Sequence, residues 1–366
     1  MSDELSSLIG AEVGDRAAEW DLTGAIPVQV LRRLGAAGAL CAEVPAEYGG
    51  RGLSGRQNGE LTAHAGTLCS SLRSVMTSQG MAAWTIQRFG TRRQRSEELT
   101  RLTQGDLAAV AFSEPQAGSD LSAISTTLKD DDDSVVVNGH KVWSTAAGYA
   151  DQLVVFGRYR DGAAAVLVPT TTPGVTVRPV PQPLGCRAAG HADVILEDVR
   201  LPATRVLSGT SQSLSLLTTI ALTYGRLSVA WGCVGIIRSC LRAAVAHART
   251  REQFGKPLAQ HQLIARHLAE LVVAEQTATR VCEHAAGCWD DRSTELSSAS
   301  VLAKHVAAGH AARAAATAVQ VLASAGSVDG EPVARAYRDA KLMQIIEGSE
   351  EICQLILAER ALEGAS

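Results

Sequence analysis

Residues 134–145 read Ser-Val-Val-Val-Asn-Gly-His-Lys-Val-Trp-Ser-Thr, a β-branched run that is typical of strands. Within it, Asn138-Gly139 predicts a two-residue hairpin turn, because that type of turn needs positive φ. Short apolar runs follow, divided by turn residues, at Leu153–Phe156, Ala163–Val168, Val175–Val180 and Val194–Leu196. Residues 108–208 are therefore predicted to form an antiparallel β domain.

Helical periodicity flanks this domain on both sides. Residues 1–107 are predicted to be an N-terminal helical domain, and residues 209–366 a C-terminal one. The C-terminal region contains four long predicted helices, at about 212–250, 258–290, 294–325 and 333–361. Their apolar residues are too many for one buried stripe, so we expect a bundle that also packs against another subunit. The order helical, β, helical predicts an α+β fold.

The composition excludes several classes of protein. The 366 residues include 34 basic and 38 acidic ones, and the net charge of −4 gives no case for nucleic-acid binding. Eight cysteines without CxxC spacing, and an N-terminus without a secretory pattern, predict free thiols and a cytoplasmic protein. The histidine spacings do not place two imidazoles on one helix face, so no metal site is expected.

Three other patterns are weighed against simpler explanations. Leu216–Ile237 has one charge, Arg226, and is long enough to span a bilayer, but polar residues surround the arginine. We therefore expect a helix buried in a bundle and no membrane span. Residues 50–55 match GxGxxG by letter, but a loop and not a strand precedes them, which argues against a nicotinamide site. Asp130–Asp133 is predicted to be a solvated turn, with a calcium loop as the alternative.

Three polar segments suit a planar ligand that carries phosphates. The first, Phe112–Asp120 (FSEPQAGSD), leaves a strand and exposes backbone N–H groups and serine hydroxyls. In the second, Lys141–Thr145 (KVWST), Trp143 and Thr145 are two apart and share a face, offering an indole and a hydroxyl. The third, Arg251–Pro257 (REQFGKP), places a guanidinium beside a phenyl ring. Taken singly, a strand tryptophan is more often core, and a helix-ending arginine more often serves the helix dipole.

A fourth segment, RDAKLMQIIEGSEE, contains a candidate base. Glu347 follows Ile345-Ile346 and precedes Gly348, which breaks the helix, and Ser349 can cap the helix that follows. A carboxylate at such a break beside isoleucines is open to desolvation, which raises its pKa toward that of a useful base. On this segment alone, a surface glutamate at a turn is the simpler interpretation.

In this order and on this architecture, the four segments resemble the acyl-CoA dehydrogenase family of flavoproteins, over about Ile26–Arg360. The resemblance implies an N-terminal helical domain, a middle antiparallel β-barrel and a C-terminal four-helix bundle. It also implies FAD between the middle and C-terminal domains, reaching a neighbouring subunit of a homodimer or homotetramer. Glu347 aligns with the catalytic base, and Arg226 and Gly348 with substrate-binding positions. Gly225 stands where some relatives hold the base instead.

The resemblance also implies which residues hold the cofactor. Ser113 and Ser119 are expected on the flavin-ring and phosphate side. Trp143 is expected to flank the isoalloxazine, and Thr145 to bond near its N5. The remaining contacts, some of them to the FAD of the adjacent subunit, are expected from Phe112, Ser144, Arg251, Phe254, Gln262, Gln320, Ser324, Ser349 and Glu351.

The implied activity is α,β-oxidation of an acyl thioester. Glu347 takes the α-proton, the β-hydrogen leaves as hydride to flavin N5, and a separate electron acceptor reoxidises the flavin. The chain departs from the family at Ala323-Ser324, where Gly-Gly is usual, and at Glu351, where Gln is usual. Its loop Leu184–His191 lacks the Ser and Thr residues that often meet pantetheine.

These departures argue against ordinary CoA and fatty-acyl specificity. The Arg-rich, Lys-poor composition and the relatively short chain resemble the carrier-protein-linked dehydrogenases of actinomycete polyketide clusters, which help to make hydroxymalonyl or methoxymalonyl units. A small hydroxyacyl group on an acyl carrier protein is therefore the expected substrate. The alternatives are an ordinary acyl-CoA dehydrogenase of fatty-acid or amino-acid catabolism, and a flavin monooxygenase or nitroalkane-oxidase-like relative. Thr91–Arg95 (TRRQR) is either a solvated helix face or a docking patch for the acidic carrier protein.

Overall fold

The computed structural model describes residues 2–207 and 211–363, and the first part of the chain is helical. Its helices are α1 Ser2–Val13, α2 Ala17–Thr23, α3 Val28–Ala36, α4 Gly55–Leu68, α5 Ser70–Phe89, α6 Arg92–Gln94 and α7 Thr100–Thr103. A capping box starts α4, because the side chain of Ser54 accepts from the Gln57 N–H and the Gln57 side chain accepts from the Ser54 N–H. Most of α5 is buried, including serines, threonines, a glutamine and an arginine. Buried polar groups need partners, so α5 is a candidate wall of a functional site.

A seven-stranded sheet follows. Its strands are β1 Ala108–Ala111, β2 Thr127–Asp131, β3 Ser134–Ser144, β4 Gln152–Tyr159, β5 Gly162–Pro169, β6 Val175–Pro179 and β7 Ala192–Pro202. The order is β1-β4-β2-β3-β7-β6, with β5 on β4. The predicted fold class is confirmed. The sheet differs from the prediction in one respect: it is not purely antiparallel, since β1 and β2 both run parallel to β4. Two parallel neighbouring strands must be joined by a long connection. The connection from β1 to β4 contains the β2–β3 hairpin.

The predicted turn at Asn138-Gly139 is wrong. β3 continues through these residues, and the register against β7 shifts between Val137 and Gly139, which marks a bulge. A Cβ at Gly139 would collide with the side chain of Thr126, so glycine permits this close approach. The hairpin turn instead lies at Asp132-Asp133, where Asp132 has a φ of 52°, inside the acidic run predicted to be a turn.

The C-terminal region consists of long helices. They are α8 Leu214–Thr250, α9 Gln262–Asp290, α10 Leu296–Leu322, α11 Pro332–Ile345 and α12 Glu350–Glu363, and two-residue strands β8 Glu252–Gln253 and β9 Lys256–Pro257 join α8 to α9. The predicted helix 333–361 is thus interrupted at residues 346–349, as the Gly348 signal indicated. The proposed domain boundaries near 107 and 208 stay predictions, and residue 208 lies outside the described residues.

Helix α8 occupies the centre of the molecule, in contact with α4, α5, α9, α10 and α11. It is long and apolar enough to cross a membrane, but 89% of its most apolar window is buried inside the protein. The buried bundle helix predicted for Leu216–Ile237 is therefore what the structure contains. At Gly232, a Cβ would lie 2.6 Å from the Cδ of Arg73, so glycine lets α8 approach α5 closely.

Candidate active site

Glu347 occupies the break between α11 and α12, in a backbone conformation that glycine usually takes. Its φ is 56°, and that of Gly348 is 94°. Arg226 Nε donates to the Glu347 carbonyl at 3.1 Å. Lys304 Nζ donates to the Gly348 carbonyl at 2.5 Å and to the Gln344 carbonyl at 3.3 Å. Because both cations are buried, these charge-assisted bonds stabilise the strained turn in a low-dielectric setting.

The carboxyl group of Glu347 is desolvated. Its Oε2 atom is buried and has no hydrogen-bond partner in the described part of the chain. Burial raises the pKa of this carboxyl to about 7, although the nearby charges of Arg226, Lys304 and Arg73 oppose the rise. A carboxyl group with this pKa and an unused oxygen is suited to accept a proton near neutral pH.

Of the two isoleucines that led to the prediction, Ile346 packs against the core but Ile345 is 53% exposed. The carboxyl group lies instead against Gly225 of α8, where a Cβ would fall 2.6 Å from the Cδ of Glu347 and 2.9 Å from the Sδ of Met81. The helix break therefore turns Glu347 inward toward α8 and α5.

A buried ion pair anchors the loop that follows β1. Lys141 and Glu114 are both completely buried, and Lys141 Nζ donates to Glu114 Oε1 at 2.7 Å and to the Phe112 carbonyl at 3.0 Å. The same carboxylate accepts bonds from the backbone N–H and hydroxyl groups of Ser125 and Thr126. Burial opposes ionisation, but the bonds from Lys141, Thr126 and Ser125 outweigh it and hold the Glu114 pKa well below its usual range.

The Lys141–Glu114 ion pair positions part of the segment Phe112–Asp120, which is predicted to contact the flavin. Phe112 stacks on Phe156 with ring centroids 4.1 Å apart, and the Ser113 carbonyl accepts from the Val142 N–H at 2.8 Å. Phe112 and Ser113 are thus tied to strands of the sheet, whereas Ser119 is exposed at the far end of the loop.

Trp143, Ser144 and Thr145 lie at the end of β3. Trp143 is 52% exposed and has a φ of 55°, in a second irregularity of the pairing with β7. The Ser144 hydroxyl is buried without a hydrogen-bond partner in the described residues. Thr145 follows the last residue of β3, and its Oγ1 lies 3.3 Å from Nδ1 of His191. Trp143 also contacts the His191 ring, with centroids 5.8 Å apart.

These groups fit the isoalloxazine ring of FAD. The exposed indole offers a stacking surface, and the Ser144 Oγ and His191 Nε2 atoms are buried without partners among the residues described. Burial, with the nearby Arg73 charge, lowers the pKa of His191 to about 4, so its ring is neutral near pH 7. A planar ring with N–H and C=O edges can satisfy these atoms, as a purely apolar ligand cannot.

The other predicted cofactor residues lie elsewhere on the surface. Those on the α8–α9 connection, on α9 and around the end of α10 are all exposed: Arg251, Phe254, Gln262, Gln320 and Ser324. No hydrogen bond or ring contact joins them to Trp143 or Glu347 within residues 2–207 and 211–363. Phe254 is 95% exposed with a φ of 53°.

Ser349 and Glu351 lie at the start of α12. The Ile352 N–H donates to Ser349 Oγ at 3.4 Å, so Ser349 supports the start of this helix. The Ser349 hydroxyl is also the largest cause that lowers the pKa of the exposed Glu351 carboxyl. The Arg226 guanidinium lies beside Gly348 and donates to the Glu347 carbonyl, and the substrate-binding role of Arg226 and Gly348 stays a prediction.

Sequence reasoning missed several residues around Glu347. They are Arg73 on α5 and Lys304 on α10. Away from Glu347, sequence patterns also missed His191, which lies beside Trp143 and Thr145, and Glu114, the partner of Lys141. The scarcity of lysine could have drawn attention to Lys304, since the chain has only five lysines and two of them, Lys141 and Lys304, are fully buried. Local periodicity gave no comparable signal for Arg73.

A group of potential metal ligands lies at the C-terminal end of α9. His284, Cys288 and Glu295 bring ligand atoms within 4.8 Å of one another. Two of the three side chains are exposed, and such groups are common without an ion. The absence of a metal stays a prediction.

Family models cover nearly the whole chain. The acyl-CoA dehydrogenase N-terminal, middle and C-terminal domains match residues 1–106, 109–199 and 215–362. The "Probable acyl-CoA dehydrogenase YngJ" of Bacillus subtilis is 33% identical over 361 residues, which are 96% of this chain and 94% of that protein.

Two solved structures extend the comparison. FkbI, for biosynthesis of the methoxymalonyl extender unit of the FK520 polyketide immunosuppressant, superposes with a TM-score of 0.94 at 62% identity, covering 98% of this chain and 99% of FkbI. A glutaryl-CoA dehydrogenase from Mycobacterium smegmatis in complex with FADH2 superposes with a TM-score of 0.93 at 25% identity, covering 99% and 94%.

Proposed function

This chain belongs to the acyl-CoA dehydrogenase family, FAD-dependent oxidoreductases that act on acyl thioesters, and we propose that its own substrate is a small hydroxyacyl group on an acyl carrier protein. The inward-turned Glu347 carboxyl, with its unpartnered Oε2, is the observation that carries the dehydrogenase chemistry. The 62% identity with FkbI supports a role in making a methoxymalonyl-type extender unit for a polyketide.

Glu347 is proposed to remove the α-proton of the thioester. Its Oε2 has no hydrogen-bond partner in the described residues and lies against Gly225 of α8. Arg226 and Lys304 fix the backbone of the turn through the carbonyls of Glu347 and Gly348 and favour the ionised carboxylate by their charge. The Glu347 N–H is proposed to donate to the thioester carbonyl, where negative charge develops. FAD, when bound, supplies the acceptor for the hydride that leaves the β-carbon.

The residues proposed to hold FAD come from two copies of the chain. Trp143, Ser144 and Thr145 would meet the isoalloxazine, with Phe112, Ser113 and Ser119 from the loop after β1. The exposed set Arg251, Phe254, Gln262, Gln320 and Ser324 would reach the FAD of a neighbouring subunit, and Ser349 and Glu351 would contact FAD from the start of α12. The exposure of the second set on the surface of one protomer supports this division.

A second copy of the chain is the proposed cover for apolar side chains of the C-terminal region. The exposed ones include Phe254, Leu263, Val273, Leu355 and Leu362. Such residues, left in water, favour association. We therefore propose a cytoplasmic homodimer or homotetramer whose reduced FAD passes its electrons to a separate acceptor.

Delivery on a carrier protein is supported by the substrate-side loop. Ala188 and Ala189 bring no hydroxyl to the region where relatives often bind pantetheine. The arginine patch is smaller than its sequence suggested. Arg93 is paired with Glu97 at 2.7 Å, and Arg95 is partly buried, with an Nε that has no described partner. Arg92 is thus the only one of the three arginines that is both exposed and outside a described ion pair.

The proposed substrate is tested by anaerobic stopped-flow spectroscopy of the FAD-loaded enzyme. A hydroxyacyl-carrier protein should bleach the flavin at least about tenfold faster, in kcat/KM, than butyryl-CoA, because remote contacts with the carrier add to transition-state binding. Carrier protein without the acyl group is the control and should leave the flavin oxidised. Faster bleaching by butyryl-CoA would point to an ordinary acyl-CoA dehydrogenase, and rapid reoxidation by air to an oxidase.

A further inference from the structure

Three side chains that can bind a metal ion converge where α9 ends and α10 begins. His284 and Cys288 are one turn apart on α9, with the imidazole Nε2 and the thiol Sγ 3.9 Å apart. Glu295 is the residue before α10, and the ligand atoms of all three lie within 4.8 Å of one another. None of the three belongs to the proposed active site, so what they bind does not depend on the proposed function.

The separation of the imidazole and the thiol is close to the one that a tetrahedral zinc ion imposes. Zn–S and Zn–N bonds of about 2.3 and 2.0 Å hold the sulfur and the nitrogen roughly 3.5 Å apart. The 3.9 Å between Cys288 and His284 is only slightly longer. His284 and Glu295 are exposed and can turn, whereas Cys288 is buried in the core of the bundle. One fixed ligand and two adjustable ones can therefore close on an ion through small side-chain rotations.

The connection between the two helices holds Glu295 near Cys288 by hydrogen bonds of its own. The Ser293 N–H donates to the Cys288 carbonyl at 2.9 Å, and Ser293 Oγ accepts from the Glu295 N–H at 3.1 Å. Arg360 Nη2 donates to Glu295 Oε1 at 3.0 Å, and Oε2 has no hydrogen bond within the described part of the chain. Carboxylates that bind metals are usually oriented by such an outer hydrogen bond. One oxygen of Glu295 is thus anchored and the other is available to an ion.

We propose that His284, Cys288 and Glu295 bind one Zn²⁺ ion, with water in the fourth position. A thiolate, an imidazole and a carboxylate suit zinc, whereas Mg²⁺ and Ca²⁺ prefer oxygen ligands. The sequence prediction of no metal considered pairs of histidines, and this group contains a single histidine. The ion ties the end of α9 to the start of α10 and, through Arg360, to α12, so it stabilises the helical bundle.

Metal titration of the FAD-loaded enzyme tests the proposal. The enzyme, without a histidine tag and freed of metal by a chelator, is titrated with cobalt chloride and with zinc chloride. Tetrahedral cobalt should give d–d bands in the red region, where oxidised flavin does not absorb, and these should saturate at one ion per chain and disappear when zinc is added. Zinc at about a hundredfold excess over its dissociation constant should raise the melting temperature by at least about 2 °C.

Variants assign the ion to these residues. His284→Ala and Cys288→Ser should each abolish the cobalt bands and weaken zinc binding at least about tenfold in calorimetry, since even the loss of an outer hydrogen bond costs about that much. Arg360→Gln removes that outer bond from Glu295 and should weaken zinc binding by a similar factor. His267→Ala is the matched control, because His267 also lies on α9 beside a carboxylate, that of Glu270, at 3.4 Å. Its zinc affinity should equal that of the wild type.

Two results would overturn the proposal: a wild-type enzyme that binds cobalt without the tetrahedral bands or does not bind it at all, or an unchanged zinc affinity in Cys288→Ser. If Cys288→Ser does not fold, His284→Ala decides the matter, because the His284 side chain is exposed. Reduction of the flavin by a thioester enters neither result, so failure of this proposal and failure of the proposed function are distinguished.

Discussion

The Cα atom of Gly225 on α8 lies against the carboxyl group of Glu347, so closely that a Cβ would collide with Oε2. This contact explains how one residue of a helix break is turned away from solvent. It also explains why no larger side chain stands before Arg226. The first prediction follows from it.

Gly225→Ala should displace the Glu347 carboxyl and slow flavin reduction at least about tenfold, because small misplacements of a reacting group are costly. FAD content should stay near that of the wild type, since Gly225 is not among the proposed FAD contacts. Rapid-mixing absorbance and the flavin-to-protein ratio measure the two quantities. Wild-type reduction by this variant would mean that the carboxyl does not need its present position.

The pH dependence of flavin reduction should report the Glu347 carboxyl. Its pKa is raised to about 7, and the base works only when ionised, so the rate should fall as pH drops below about 7 and level off above it. Lys304→Met removes a cation that favours the ionised form, so its profile should move to higher pH. A profile that stays in place in this variant would contradict the electrostatic account.

Lys304→Met should also weaken the turn itself. It removes the ammonium that donates to the Gly348 and Gln344 carbonyls and leaves the Gly348 carbonyl with only the weak Cys353 thiol donor among the described residues, a loss of about 1–3 kcal/mol in the free energy of unfolding. Lys341→Met is the matched control, because Lys341 is exposed and, among the described residues, donates only to the Gln344 side chain at 3.1 Å. Thermal unfolding of both variants checks the expectation; an equal loss in both would show that burial of Lys304 is not the cause.

The ion pair of Lys141 and Glu114 should control FAD affinity through the loop that it anchors. Glu114→Gln leaves a buried ammonium without its counterion, a change that costs about 3–5 kcal/mol in comparable pairs. Looser FAD binding and a lower melting temperature should appear together, and the double variant Glu114→Gln/Lys141→Met should recover part of both. Lys129→Met, on an exposed position of β2, is the control and should change neither. Unaltered FAD affinity in Glu114→Gln would show that the loop anchored by this ion pair does not contribute to FAD binding.

Sequence patterns predicted the three-region fold because the period of apolar residues changes twice, near 108 and near 208. They placed the hairpin turn wrongly, since Asn-Gly serves equally in a turn and in a bulge, and only the packing of Thr126 against Gly139 selects the bulge. They predicted the helix break at Gly348 from local signals alone.

The surroundings of Glu347 were not predictable in the same way. Arg73 comes from α5, Lys304 from α10 and Gly225 from α8, and only the tertiary packing of these helices brings them to the break. Isoleucine neighbours led to the correct direction for the pKa, but Ile345 is exposed, and the contact of the carboxyl group with Gly225 on α8 could not be predicted from them.

The most direct test of the central claim is the rate of anaerobic flavin reduction by a thioester substrate in Glu347→Gln. The two side chains have the same shape, so FAD binding and folding should be retained, whereas the proton acceptor is lost. The account predicts a fall in the reduction rate of at least about a hundredfold, the size expected for a general base. Reduction at the wild-type rate would show that another group removes the proton and would contradict the account.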